Sequence, residues 1–504
     1  MDLNSICEAL IEENSKQMAE ESLKSKTVKG ASWSLIDSVA GQGITFLVGL
    51  VLARLLSPEE YGLIGIILIF VSVFNTIVDS GFSNALIRKK DVKDIDYNTV
   101  FIINLILSVL LFSILYVSAP AISIFFSQPL LIPLLRVMGV VVIINAIAII
   151  HRTILVKAVD FKTQTKVSLI SSISSGVVGI GMALCGFGVW SLVGQQISRQ
   201  FLNSIFLWIY SKWYPKLKFS KQSFIELFSF GWKLLVSSLI DTIWREIYQV
   251  IIGKFYTPVA LGQYTRAQQF ASICSSNLTS VVQRVSFPVL SSVQDDKDRL
   301  KKGYQRIIKV SMLLTFVLML GLAAIAKPMI LVLIGEQWLP CVPYLQLICL
   351  QMMLYPLHSL NLNMLQVQGR SDLFLRLEII KKIIAIGPLL LGVFVNIYWM
   401  LGCSIITGII AYYLNAYYSG PFLNYSIIEQ VKDIIPSLGV AILMAVPVYA
   451  MSFIPLNPFI LLPLQIVAGA VITKAICELI SLPEYIELKG IISSLLKKKY
   501  EGND

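Results

Sequence analysis

Long apolar runs separated by short charged connections recur along the whole chain. Runs of helical length fall near residues 31–56, 61–82, 99–126, 130–151, 167–184 and 190–211. A second set falls near 227–253, 261–287, 307–334, 340–365, 372–395 and 400–420, and two more follow near 433–454 and 459–481. A helix needs roughly 20 apolar residues to cross a bilayer, and lipid leaves no backbone group to water. The pattern therefore predicts an all-α polytopic membrane protein with about 14 transmembrane helices. The runs at 227–253 and 261–287 are the most polar of the set.

Composition sharpens that picture. Of 504 residues, 56% are hydrophobic and 14% charged, with a mean hydropathy of +0.76, which excludes a soluble cytosolic enzyme. A net charge of +11 would suggest nucleic acid as the partner of a soluble chain, but here the bases follow the connections. Counted against alternate connections, 32 of the 41 Lys and Arg lie on the side that holds both termini, whereas the opposite connections hold only Lys254 and Lys327. The positive-inside rule thus predicts cytoplasmic termini and no nucleic-acid partner. The first thirty residues contain no apolar h-region, so no cleavable signal peptide is expected. Two histidines and seven dispersed cysteines show neither metal-ligand nor disulfide spacing, and no metal or cofactor is expected.

The chain also matches itself at an offset of 200. Ala53-Arg54-Leu55-Leu56-Ser57-Pro58-Glu59-Glu60-Tyr61-Gly62 aligns with Gly253-Lys254-Phe255-Tyr256-Thr257-Pro258-Val259-Ala260-Leu261-Gly262. Part of the match is a good helix start, with a hydroxyl N-cap followed by Pro at N1. Downstream, Pro120 and Pro133 pair with Pro328 and Pro343, Phe161 with Phe374 and Trp190 with Trp399, in preserved order. The simplest account is two six-helix bundles related by a parallel internal repeat, with two C-terminal helices appended. The expected organisation is a cytoplasmic N-terminal segment at 1–30 and bundles at 31–211 and 227–420. Two additional helices follow at 433–481, then a cytoplasmic tail at 482–504.

The stretch 53–62 and Asp79-Ser80-Gly81-Phe82 before Arg88-Lys89-Lys90 resemble the polysaccharide-transporter branch of the MOP superfamily. Gly186-Phe187-Gly188-Val189-Trp190-Ser191-Leu192-Val193 and Ala260-Leu261-Gly262-Gln263-Tyr264-Thr265-Arg266-Ala267 extend the resemblance, which covers roughly residues 25–480. It implies a Wzx-type flippase in the bacterial inner membrane. Such a protein moves undecaprenyl-pyrophosphate-linked oligosaccharide from the cytoplasmic to the outer leaflet by alternating access. The first, second, seventh and eighth helices would line the cavity, and a polysaccharide polymerase complex is an expected partner.

A charge at mid-bilayer costs on the order of 3 kcal/mol, so the intramembrane charges should face protein or water. On the seventh span Ser238, Asp241, Arg245 and Gln249 fall on one helix face, and on the eighth Arg266, Gln269, Asn277 and Arg284 form a similar stripe. Ser72, Asn75, Asp79 and Ser83 do so near the second span, while Asp37 and Gln42 interrupt the first. A guanidinium offers pyrophosphate a planar fork of charge-assisted hydrogen bonds, which puts Arg245 and Arg266 first. Asp241, Gln249, Gln269, Asn277, Asn75 and Asp79 are the other substrate-binding candidates. Lys233, Arg284, Arg54 and Lys254 are candidates for ingress or gating. Each has a plainer alternative: Asp241 and Arg245 can neutralise one another, Lys233 and Arg284 can be positive-inside anchors, and Arg54 and Lys254 can cap helix C-termini.

Two other readings stand beside flipping. A small-molecule exporter of the MATE type would share the fold, and a membrane glycan polymerase or ligase would share the substrate. The short external connections speak against the latter, and the absence of G-x-x-x-x-G-K-[ST] speaks against an ATP-driven pump.

Overall fold

The computed structural model describes residues 40–79, 81–292, 296–368, 370–490 and 493, and among them every regular element is helical. The chain divides into two compact units, Met1–Lys254 and Phe255–Asp504. The first contains α1 (Gln42–Leu55), α2 (Pro58–Asp79), α3 (Phe82–Arg88), α4 (Asp94–Phe126), α5 (Leu131–Met138), α6 (Val140–Lys157), α7 (Phe161–Leu184), α8 (Val189–Ser211) and nearly all of α9 (Lys221–Phe255). The second contains α10 (Pro258–Ser292), α11 (Lys297–Ala324), α12 (Ala326–Leu333), α13 (Cys341–Met352), α14 (Tyr355–Val367), α15 (Ser371–Ile384), α16 (Ile386–Phe394), α17 (Ile397–Leu423), α18 (Ile427–Ala450) and α19 (Pro458–Leu479).

Among the described residues nine helices are long and apolar enough to cross a membrane, against the fourteen spans expected. The five that differ do so for identifiable reasons. Only residues 42–55 of the first run are a described helix, and α8 and α10 are long but polar. The runs at 340–365 and 372–395, which complete the five, are each broken in two, and 307–334, whose larger part is one of the nine, is broken near its end as well. In all three the helix stops four residues before a proline: α11 at Ala324 before Pro328, α13 at Met352 before Pro356, and α15 at Ile384 before Pro388. Proline has no N–H to donate to the carbonyl four residues back, and its ring crowds that carbonyl. Pro120 and Pro436 lie inside helices that run on through them, so packing settles whether such a weak point opens.

The two segments that align at an offset of 200 place their helix boundaries at corresponding residues. The helix ends at Leu55 or Phe255, and the next begins at Pro58 or Pro258. Ser57 makes a reciprocal cap with Glu60, its backbone N–H donating to the Glu60 carboxylate at 2.7 Å. The Thr257 hydroxyl accepts from the Ala260 N–H at 3.2 Å.

Each unit packs around its own core. In the second, Leu300, Tyr304, Ile308, Met312 and Phe316 recur every fourth residue on α11 and bury against α14, α17 and α18. In the first, α7 presents a buried row of small residues, Ser172, Ser175, Gly176 and Gly179. That row lets Val48 and Leu52 of α1 and Gln195 of α8 approach its backbone closely. Large apolar side chains such as Ile106, Val117 and Val177 remain exposed, which suits contact with lipid.

The helix α9, which the sequence places in the second bundle, lies in the first unit. Leu227 packs in a cluster with Phe82, Leu86 and Phe101, and Glu226 bonds Lys89 at 3.0 Å. Lys89 also pairs with Asp96 at 3.1 Å. Burial lowers the pKa of this ammonium, but the bonds to Glu226 and Asp96 outweigh it, so the pKa ends raised.

Candidate functional site

In the first unit the polar residues of α2 meet partners on three other helices. The Asn75 carbonyl accepts from Asn145 of α6 at 3.1 Å, and the Asn145 carbonyl accepts in turn from Gln200 of α8 at 2.9 Å. One turn along, the Thr76 and Thr242 hydroxyls lie 3.2 Å apart, joining α2 to α9. The Ser72 hydroxyl donates to the Ile69 carbonyl of its own helix at 2.9 Å, and on α9 the Glu246 carboxylate accepts from Gln249 at 2.7 Å. Asp79 accepts from the Ser83 hydroxyl at 2.5 Å across the turn to α3. Gly81 forms that turn with φ of +68°, and a Cβ there would lie 2.5 Å from the Gly231 carbonyl of α9. The sequence thus builds one polar face from α2, α6, α8 and α9 around Ser72, Asn75 and Thr76.

Arg245 sits beside this face on α9 with its side chain exposed and with the Glu246 charge as an electrostatic neighbour. Asp241 and Lys233 are exposed on the same helix. Arg54 is exposed in the last turn of α1. Lys254 reaches the Phe125 carbonyl at 2.5 Å, near the C-terminus of α4, and stands 4.5 Å from the Phe125 ring centroid. A cation at that end complements the helix dipole.

In the second unit Arg266 is 5% exposed. One terminal nitrogen donates to Gln269 at 2.5 Å, and the guanidinium lies 5.8 Å from the Trp338 ring centroid. Gln263, one turn earlier, donates to the Gln337 carbonyl at 2.8 Å, so this face of α10 is tied to the turn at 336–338. The side chains of Asn277 and Arg284, and the whole of Asp37, lie outside the described residues.

In the first unit Asn75 is joined to Asn145, Asp79 to Ser83 and Gln249 to Glu246, beside Arg245, so these candidates are not brought into contact with one another; in the second unit Arg266 meets Gln269. Asn145, Gln200, Thr76 and Thr242 are additions that the stripes on α2 and α9 do not reveal. Their signal in the sequence is faint. Asn145 is a lone amide in the apolar run Val140–Ile150, and such an amide in a membrane helix needs a partner.

Comparison with known proteins bears on the family and the fold. A family described as "Polysaccharide biosynthesis protein" matches residues 51–343. The teichuronic acid biosynthesis protein TuaB of Bacillus subtilis is 28% identical over 355 residues, 70% of this chain and 73% of that protein. The succinoglycan biosynthesis transport protein ExoT of Rhizobium meliloti is 29% identical over 329 residues, 65% of this chain and 67% of that protein. Among solved structures, the lipid II flippase MurJ in an inward closed conformation aligns with a TM-score of 0.72. That alignment has 15% identity and covers 90% of this chain and 98% of MurJ. At that identity it speaks for the fold: an all-α polytopic membrane protein.

Proposed function

Because the chain belongs to the polysaccharide biosynthesis protein family, we propose that it flips a lipid-linked oligosaccharide from the cytoplasmic to the outer leaflet of a bacterial inner membrane. The family match over more than half of the chain carries this reading, and TuaB and ExoT, whose names place them in polysaccharide biosynthesis and transport, support it. Undecaprenyl pyrophosphate is the carrier, alternating access is the mechanism, and both termini are cytoplasmic. The protein is a transporter, handing its cargo to a polysaccharide polymerase complex.

The pyrophosphate contact is Arg245. Its guanidinium is exposed, and the neighbouring Glu246 carboxylate accepts a hydrogen bond from Gln249. Arg266 is buried against Gln269 and Trp338 and serves to position α10. Asn75, Asp79 and Gln249 meet sugar hydroxyls, Gln269 and Asn277 form the corresponding amide stripe of the second unit, and Lys233 and Arg284 draw the head group in from the basic side.

The deciding experiment reads the sidedness of lipid-linked oligosaccharide in membrane vesicles, with an impermeant glycan-modifying probe, from cells with and without this protein. Cytoplasmic-face accumulation only in its absence is the expected outcome. Accumulation on the outer face would indicate a polymerising or ligating step, and no change would indicate small-molecule export.

A further inference from the structure

A cleft of about 430 Å³ opens on the first unit between α6 and α8. Ile144 and Ile147 line it from α6, Phe201, Ser204 and Trp208 from α8, and Tyr214 from the segment that follows. Apart from the Ser204 hydroxyl and the Tyr214 phenol its lining is apolar, and the Trp208 N–H is already bonded to the Ile147 carbonyl at 3.1 Å. Phe201 and Tyr214 are 52% and 69% exposed, so the cleft is open at the surface of the unit. The polar face does not contribute to it: Asn145 and Gln200, each next in sequence to a lining residue, lie about 100° around their helices and bond Asn75 and Asn145 respectively.

The residues beyond its end are basic. The α8 helix stops at Ser211, and Lys212 turns the chain with a φ of 52°. Lys212, Lys216, Lys218 and Lys221 are all exposed, and Tyr214 lies among them. The acidic group recorded against this cluster is Asp94, 3.7 Å from the Lys216 ammonium. An apolar slot leading to a row of lysines matches the two ends of an anionic amphiphile.

We propose that the cleft between α6 and α8 holds one acyl chain of an anionic membrane phospholipid whose phosphate rests on the lysines of the 212–221 segment. The site requires only that the chain resides in a membrane, so it does not depend on what the protein transports. A phospholipid fits better than the glycan carrier because the cleft offers no polar wall for sugars and the amides of Asn145 and Gln200 are not part of its lining.

The test uses the purified full chain in native mass spectrometry, titrated with phosphatidylglycerol and phosphatidylethanolamine of identical chains. One phosphatidylglycerol should be retained in preference, and the preference should fall about fivefold for each of Lys212→Gln and Lys218→Gln. Ile205→Trp, at the exposed rim of the cleft, should abolish retention of both lipids. Equal retention of the two lipids, or a preference indifferent to these substitutions, would overturn the proposal. So would displacement of phosphatidylglycerol by equimolar polyprenyl diphosphate, which would give the cleft to the carrier instead. Should the Ile205 variant not fold, brominated phosphatidylglycerol decides the matter. It should quench a fluorescence component that Trp208→Phe lacks, and quenching equal in the two proteins would refute the site.

Discussion

Gly81 occupies a backbone conformation that L side chains rarely adopt, and it does so against the carbonyl of Gly231. Both reasons for glycine act at one position, where α3 leaves α2 and meets α9. Gly81→Ala should therefore lower stability by about 1–3 kcal/mol. A thermal unfolding midpoint in detergent checks this, and an unchanged midpoint would mean the turn relaxes freely. At Arg245 the expectation concerns transport. Losing one charge-assisted hydrogen bond costs about 1.5–3 kcal/mol, or about ten- to a hundredfold in binding. Arg245→Gln should reduce export by that order, with Arg245→Lys intermediate because charge survives without the fork. Arg266→Gln should instead lower the yield of folded protein; export lost from a well-folded Arg266 variant would move the substrate contact there. The Lys89 knot gives a pH expectation. A raised lysine contributes stability fully below its ordinary value of 10.5 and loses it only as pH rises through the folded value. The stability difference between wild type and Lys89→Met should thus stay constant from pH 6 to pH 9 when measured by denaturant unfolding.

Helices report how far a linear pattern can be read. The hydrophobic runs locate α2, α4 and α17 to α19 within about six residues, because burial and lipid exposure both demand apolar side chains there, whereas the run at 130–151 is divided at Gly139 between α5 and α6. The interruptions at 325, 353–354 and 385 leave no break in the hydrophobic pattern, since apolar composition continues across them and only the prolines mark the spot. Close packing is equally invisible to hydropathy. A Cβ at Gly176 would come within 2.5 Å of Val48, so Gly176→Leu should expel α1 from α7 and lower the unfolding midpoint markedly. Val48→Ala in the same chain should recover part of the loss, and a double variant as unstable as the single one would place the clash elsewhere.

The unit boundary at Lys254 shows where sequence reading of the whole chain stops. The repeat predicts a second copy starting with the seventh span, whereas contacts assign α9 to the first unit through Leu227, Glu226 and Thr242. Side-chain pairings a hundred or more residues apart leave no local mark. The polar stripes on α2 and α9 are legible, but Asn145 of α6 is a single letter inside an apolar run and Gln200 of α8 is one polar residue among several. Membrane orientation has a native reporter. Cys185, at the end of α7, is the exposed cysteine among the described residues, and the charge pattern puts it outside. An impermeant maleimide should label it in intact spheroplasts and fail on Cys185→Ser. Labelling only after permeabilisation would invert the topology. The three proline-set interruptions, finally, give the second unit its mechanical character. Bending an unbroken helix requires parting a backbone hydrogen bond inside lipid, but at Ala324, Met352 and Ile384 the bond to the following proline was never available to part. These carbonyls mark joints of low stiffness, and Pro421, Pro436, Pro447 and Pro463 weaken the continuous helices α17 to α19 of the same unit in the same way.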